Sequence, residues 1–332
     1  MAGRGSRLRP HSLTTPKPLI PVAGLPIVHQ IINTIAKAVK SRIEEVAFIL
    51  GDPAFFGSET ERSLIEAAKK IGAKASIYRQ LKPLGTGHAV MCASKSLQGP
   101  AIIAFADTLI RANLEINTKA DGMIWVKKVE TPEAYGVVQL NSKNQIKNLI
   151  EKPKFFISDL AVIGIYYFKE IEILKNKLNK VLQSPIKSGE EYHINDGIIA
   201  MIKDNYIIEP GSVDKWMDCG NPSITVETNS KMLDILSKEG AELVSSEAKL
   251  KNSKIIQPCY IGKGVVIINS QIGPGVSIGD YTRIENCKIK HSLIQKNSII
   301  QNVKLVNSMI GNNVHFNDSY KSVSIGDYSQ IK

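Results

Sequence analysis

The sequence predicts an α/β domain with a mixed central sheet, followed by a parallel β-helix. Three observations carry this. Segments of strand and helix character alternate over residues 26–107. Strands with little helix between them follow over 122–168, which predicts antiparallel insertions in the sheet. From about residue 253, single apolar residues recur at steps of five or six, a period that neither an α-helix nor a hairpin sheet gives. A chain of 332 residues is long enough for two domains, placed here at 1–240 and 241–332.

Taken in order, 26–40 places apolar residues at helical spacing behind a proline. VAFIL (46–50) reads as a buried strand, and 58–72 as a helix capped by Ser58 and ended by a glycine. A strand at 75–80, a helix at 87–97 and a strand at 101–107 follow, the last ending in Asp107. Ligands of open α/β sheets bind beyond the carboxyl ends of strands, so Asp107 is a candidate site residue. Strands are expected at 122–129, 135–140 and 160–168, and helices at about 169–183, 190–204 and 222–238. In the coil the register residues are Ile261, Ile267, Ile272, Ile278, Ile284, Ile289, Ile294, Ile300, Leu305, Ile310 and Phe316, then Ile325 and Ile331. Each would stack on the turn below.

Composition narrows the function. The chain is 43% hydrophobic and 22% charged, with no apolar run long enough to cross a membrane and no apolar segment after the Arg-rich start that would make a signal peptide. Its four cysteines are scattered, which fits packed thiols in a reducing cytoplasm. Net charge is +11, and 251–332 hold ten Lys/Arg against four Asp/Glu. No polybasic run with interleaved aromatics occurs there, so a solvated lysine surface is favoured over a nucleic-acid face.

The opening stretch, MAGRGSRLRPHSLTTPKPLIPVAG, carries the chemistry. It is neither G-x-G-x-x-G, since Leu8 replaces the third glycine, nor a P-loop. Gly3 and Gly5 let backbone N–H groups approach phosphate oxygens. Arg7 offers a planar fork for bidentate phosphate binding. Lys17 is a point charge stiffened by Pro16 and Pro18. Together they describe a polyphosphate cradle.

GRGSRLRP and PKPLIPVAGLPI resemble the sugar-1-phosphate nucleotidyltransferases. So do QLKPLGTGHA (80–89), AFADT (104–108), EAYGVV (133–138), EKP (151–153), SDLAVIGIYYF (158–168), EEYHINDG (190–197) and WMDCG (216–220). The coil is similar to that of long glucose-1-phosphate thymidylyltransferases and mannose-1-phosphate guanylyltransferases. The resemblance implies a Rossmann-like sheet of the nucleotidyltransferase type and a left-handed β-helix. It implies a reaction in which a sugar-1-phosphate oxygen attacks the α-phosphorus of a nucleoside triphosphate and pyrophosphate leaves. It assigns Arg7 to the β- and γ-phosphates and Lys17 to charge growing at the α-phosphate. Asp107 and Asp218 would hold Mg²⁺, although either alone could simply cap a turn. Gln80 and the backbone of Gly85 would meet the base, Gly136 and Glu151 the sugar, and Lys152 its phosphate. His88 and His193 read as helix-face packing, and Asn195 stands where relatives often carry threonine.

The favoured substrates are dTTP and glucose-1-phosphate, with a mannose-1-phosphate guanylyltransferase or a UTP-using pyrophosphorylase as alternatives. A cytoplasmic homo-oligomer, dimer or tetramer through the β-helix, is expected, in polysaccharide biosynthesis and without nucleic acid or membrane partners. Two other classes compete: a non-catalytic regulatory homologue, and a hexapeptide-repeat acyltransferase using His291 or His315. Relatives carry a short strand before the glycine loop, and the chain starts at Met1 without it. Its loss would expose several buried backbone groups at about 1–3 kcal/mol each, against a total stability of about 5–15 kcal/mol, so a misplaced start is expected, with a truncated or decaying protein as the alternative. An N-terminal peptide of the native protein beginning at Met1 or Ala2 would refute that.

Overall fold

Helix–strand pairing and coil stacking divide the chain into two compact units, Met1–Gly3 with Ile31–Trp216, and Arg4–Gln30 with Met217–Lys332. The computed structural model describes residues 3, 5–39, 41–111, 114–185, 191–317 and 323–331, the side chains of 330 and 331 aside. Met1, on which the expectation about the start rests, and Glu190 of EEYHINDG lie outside the described residues.

In the first unit a mixed sheet runs in the order Ile208–Ser212, Gly122–Lys128, Leu160–Phe168, Gly136–Leu140, Ile146–Glu151, with Ala101–Ala104 also pairing Leu160–Phe168. Only the Ile208–Ser212/Gly122–Lys128 pair is parallel, so the antiparallel insertions expected over 122–168 dominate the sheet. The helices Ile171–Gln183 and Ile194–Lys203 bury Leu174, Leu178, Ile198 and Met201 against Ile124, Val138 and Phe168. Glu45–Leu50 and Lys74–Arg79 form a separate parallel pair joined through the helix Ser58–Lys70. The N-cap of that helix is Gly57, not Ser58, and the helix expected at 87–97 spans only Thr86–Cys92. Residues 93–98 turn away because Ala93 and Ser96 close i→i+3 bonds that end the α pattern.

The second unit is built on the coil. Three parallel sheets of six, four and five short strands stack turn upon turn. Ile272, Ile289 and Leu305 align on one side, and Ile261, Ile278, Ile294 and Ile310 on another. Ile267, Ile284, Ile300 and Phe316 align on the third, so the five-or-six-residue step is three faces of one triangular turn. All are buried in one cluster. Asn252, Asn269, Asn286 and Asn302 sit at one corner with positive φ, a region in which asparagine costs less than other side chains. Their amides form a ladder: Nδ2 of each donates to Oδ1 of the next, at 3.4, 3.3 and 3.0 Å, and Asn302 donates to Asn317 at 2.9 Å. Buried serines do the same inside other corners, as where Ser270 Oγ accepts from Cys287 N at 2.9 Å.

No cysteine is bridged, and three of the four are buried, as packed thiols. Among the described residues no helix is long and apolar enough to cross a membrane.

Ile289→Ala should cost about 2–5 kcal/mol of stability by opening a cavity in the stack. Asn286→Ala should cost about 1–2 kcal/mol, from left-handed strain and ladder loss, and Asn286→Gly less because only the ladder goes. Urea unfolding of the three variants checks the order.

Candidate functional site

In the second unit the opening stretch folds into three 3-10 turns, Ser6–Leu8, His11–Leu13 and Lys17–Leu19. Gly5 has φ +62, and a Cβ there would lie 2.9 Å from the Lys17 Cβ, so glycine lets the chain fold back against the lysine. The Gly5 carbonyl accepts from Leu8 N at 2.9 Å and from Ser12 Oγ at 2.7 Å, which fixes the turn. Arg7 is exposed beside it, while the Lys17 side chain is 7% exposed. Gly3, described with the first unit, has open space where a Cβ would stand. The structure therefore brings Gly5, Arg7 and Lys17 into one loop.

Asp218 ends the strand Lys215–Asp218, just ahead of the helix Pro222–Lys238. Thr228 Oγ1 donates to its backbone carbonyl at 2.6 Å. Its carboxylate lies over Gly220, where a Cβ would come within 2.6 Å of Oδ2. Among the described residues that carboxylate has no hydrogen bond or ion pair. Two hard oxygens without a protein cation are a fit for a divalent ion such as Mg²⁺. Among the described residues, no group of three or more His, Cys, Asp or Glu is arranged to hold a metal. Asp107, described with the first unit, is half-buried between the strands Ala101–Ala104 and Thr108–Arg111. Phe105 N donates to Gly164 O at 2.8 Å, and the ring packs where Gly164 has no Cβ, which fixes the chain just before Asp107.

Two distant motifs of the first unit are laced together. Gly87 N donates to Tyr192 O at 2.8 Å, Tyr192 N to Leu84 O at 2.9 Å, and Ile194 N to Thr86 Oγ1 at 3.0 Å. Gly85, at φ +101, admits no Cβ, which would fall 2.5 Å from Tyr192 O. Within this junction Gln80 Nε2 donates to Gly85 O at 2.9 Å and meets His88 Nδ1 at 3.0 Å. A carbonyl only accepts, so the amide nitrogen of Gln80 must face it. His88 Nδ1 is then the acceptor and its proton sits on Nε2. Gln80 Oε1 is left as the group of that side chain without a hydrogen bond among the described residues. His88 thus holds Gln80 rather than merely packing a helix face, and burial lowers its pKa. His193 is the N-cap residue of the helix Ile194–Lys203, its N–H donating to Asp196 Oδ2 at 2.9 Å.

Gly136 and Glu151 are cross-strand partners. A Cβ on Gly136 would stand 2.8 Å from Glu151 Oε2 and 3.7 Å from Asn195 Nδ2, so all three share one spot. Lys152 follows at φ +42, its N–H donating to Tyr135 O at 3.0 Å, with an exposed side chain. Asn195 is 8% exposed and its Oδ1 is buried without a partner. A buried orphan acceptor beside a carboxylate suits a ligand hydroxyl. The sequence marks Asn195 only as a departure from the threonine that relatives often carry; the signal for a role is its place beside the His193 cap.

Against known proteins, residues 1–235 match the family model "Nucleotidyl transferase". The chain belongs to that family. It is 29% identical to a glucose-1-phosphate thymidylyltransferase of Streptomyces antibioticus, over 99% of this chain and 97% of the relative. It is 30% identical to a bifunctional protein GlmU of Methanococcus aeolicus, over 94% of this chain and 76% of the relative. A low-salt glycan biosynthesis nucleotidyltransferase of Haloferax volcanii is 28% identical over 99% and 98%. Family, relatives and coil together make the chain a sugar-1-phosphate nucleotidyltransferase.

Three outcomes follow from this geometry. His11 is fully buried, and burial pushes its pKa down to about 4, with Asp327 pulling the other way. Between about pH 6.5 and 4 the unfolded chain binds a proton that the folded chain does not, so stability falls as pH falls through that window. The loss is on the order of 3 kcal/mol, and His11→Gln should flatten that slope in urea titrations at several pH values. Gly136→Ala should remain folded, because the clashing atom is the movable end of Glu151, yet raise KM for the sugar phosphate. Gly85→Ala meets backbone and should lower Tm instead.

Proposed function

We propose that the chain transfers a thymidylyl group from dTTP to glucose-1-phosphate, releasing pyrophosphate. The observation that carries the base assignment is the locked amide of Gln80. With Nε2 held by Gly85 O and His88, its free oxygen accepts from a ring N–H. Thymine, uracil and guanine present one; cytosine and adenine present an acceptor ring nitrogen at that place and are disfavoured. Relatives named glucose-1-phosphate thymidylyltransferase, similar over nearly their whole length, support thymine and glucose within that set.

In this reading Arg7, with the backbone at Gly3 and Gly5, binds the β- and γ-phosphates. Lys17 meets the charge that grows on the α-phosphate oxygens as the sugar-phosphate oxygen attacks and pyrophosphate leaves in line. Lys152 orients the attacking phosphate, while Glu151, Asn195 and the Gly136 backbone hold sugar hydroxyls. Asp107 and Asp218 are assigned to Mg²⁺, which supplies charge neutralisation on the triphosphate. The 241–332 coil is assigned to assembly of a dimer or tetramer, which light scattering measures.

Pyrophosphate release tests the reading, with dTTP, UTP, GTP, CTP and ATP each offered against glucose-1-phosphate and mannose-1-phosphate. The highest kcat/KM is expected for dTTP with glucose-1-phosphate, and CTP and ATP should be poor. A preference for CTP would contradict the amide argument. Lys17→Ala should lower kcat by about 10²–10³ with the fold intact. His88→Ala should raise KM for the nucleotide and narrow the gap to CTP.

A further inference from the structure

One sheet of the coil differs from the other two on its outer surface. Its strands present Tyr260, Ser277, Leu293, Met309 and Ser324 outward, each in register with the next. At the usual strand spacing of about 4.8 Å the five span about 19 Å. The matching outward residues of a second sheet include Lys254, Lys288 and Lys304, all exposed. Leu293 and Met309, by contrast, are 2% and 1% exposed although they point away from the coil interior.

Their cover is the opening stretch and the helix Pro222–Lys238. Leu8, Ile20 and Val226 close over Leu293 and Met309 in one apolar cluster. The Tyr260 ring lies against Gly24, where no Cβ would fit. Ser277 Oγ donates to Asn229 Oδ1 at 2.7 Å, and the same oxygen accepts from Ala23 N at 2.9 Å. Ser324 Oγ is hydrogen-bonded to His11 Nε2 at 2.9 Å. Every residue of the stripe therefore touches the opening stretch or the helix that shares its cover.

The coil's last described turn is closed in the same way. A Cβ on Gly279 would meet Gln295 and Lys296 of the following turn, and one on Gly311 would meet Gly326 and Asp327. On Gly326, in the final turn, it would meet Pro10 at 2.9 Å. Pro10 stands where a further turn would stack. Asp280 Oδ1 accepts from Lys263 N at 2.8 Å, and Asp327 Oδ1 repeats this with Asn312 N at 2.7 Å. The other oxygen of Asp327 accepts from Thr14 Oγ1. Exposed coil ends need capping, and here the cap is the loop that carries Arg7 and Lys17.

We propose that this stripe and final turn are the bed on which the phosphate-binding loop is held. Leu293, Met309, Ser324 and Asp327 are then positioning residues for the nucleotide, acting through His11, Thr14 and Leu8. The inference rests on reading Gly5–Lys17 as the polyphosphate cradle. Its physical basis is that three-residue 3-10 turns do not hold themselves in water. Groups that bind a triphosphate must nevertheless be held to within a fraction of an ångström, so the rigidity has to come from what lies beneath. The coil is therefore part of the nucleotide-binding apparatus.

The test uses the full chain with Ser324→Ala, Met309→Ala and Ser324→Thr, and Lys304→Ala on another coil face as control. The first readout needs no substrate: the rate of tryptic cleavage after Arg7, at a temperature where the circular dichroism of all variants is unchanged. Cleavage should rise about fivefold in Ser324→Ala and Met309→Ala, and stay near wild type in Ser324→Thr and Lys304→Ala. The second readout is a split of KM values with dTTP and glucose-1-phosphate. KM for dTTP should rise about threefold or more, with KM for the sugar phosphate unchanged. Cleavage no faster than in Lys304→Ala, or equal shifts in both KM values, would overturn the proposal. Failure of the wild-type protein to use any nucleotide would instead sink the cradle reading, and the cleavage rates would still decide whether the coil holds the loop.

Discussion

The side chain of Asn229 is fully buried, and its one amide oxygen accepts from both Ala23 N and Ser277 Oγ. Its nitrogen faces Gly275 O at 3.4 Å. Three stretches far apart in the chain, the opening segment, the helix Pro222–Lys238 and the coil, are joined at that one residue. A buried amide must be satisfied or it costs more than the hydrogen bonds it forms, so the three segments are held to one arrangement. Gln30 strengthens it by donating to Val22 O and Leu25 O at 2.7 and 3.0 Å, closing the small hairpin of Pro21–Val22 with Leu25–Pro26. From this junction the loop with Gly5, Arg7 and Lys17 runs along the coil.

The first unit follows the same logic with different groups. There the backbone of Leu84–Gly87 is bonded to Tyr192–Ile194, and the Gln80 amide is oriented by a carbonyl that can only accept. Gln80 is thus aimed by a neighbour with a single permitted hydrogen-bonding role. Specificity in such a site comes from fixed polarity, because a misplaced donor leaves a buried partner unsatisfied.

Much of this was legible in the sequence. The five-or-six-residue step announced the coil because one apolar side chain per face is what a triangular turn needs. The glycines and prolines of the opening stretch announced a constrained loop, and the structure brings Gly5, Arg7 and Lys17 together in it. What stayed hidden were contacts that periodicity does not encode. Leu293 and Met309 precede register residues and look like ordinary outward positions, so nothing local says they are covered. The link between His11 and Ser324 spans the whole chain, and no spacing rule reaches so far. The lock of His88 on Gln80 depends on a turn made possible by Gly85. Ser58 looked like a cap by residue type alone, whereas the backbone starts its helix one residue earlier.

The opening segment and the coil should behave as one folded body. Native-state hydrogen exchange of the wild-type protein across sub-denaturing urea tests it most directly. Protected amides in the opening segment, Leu8 and Ile20 among them, should open together with amides of the coil strands Leu293–Ile294 and Met309–Ile310, with the same free energy and urea dependence. Opening of residues 5–22 at a much lower free energy than those strands, with no urea dependence, would contradict it.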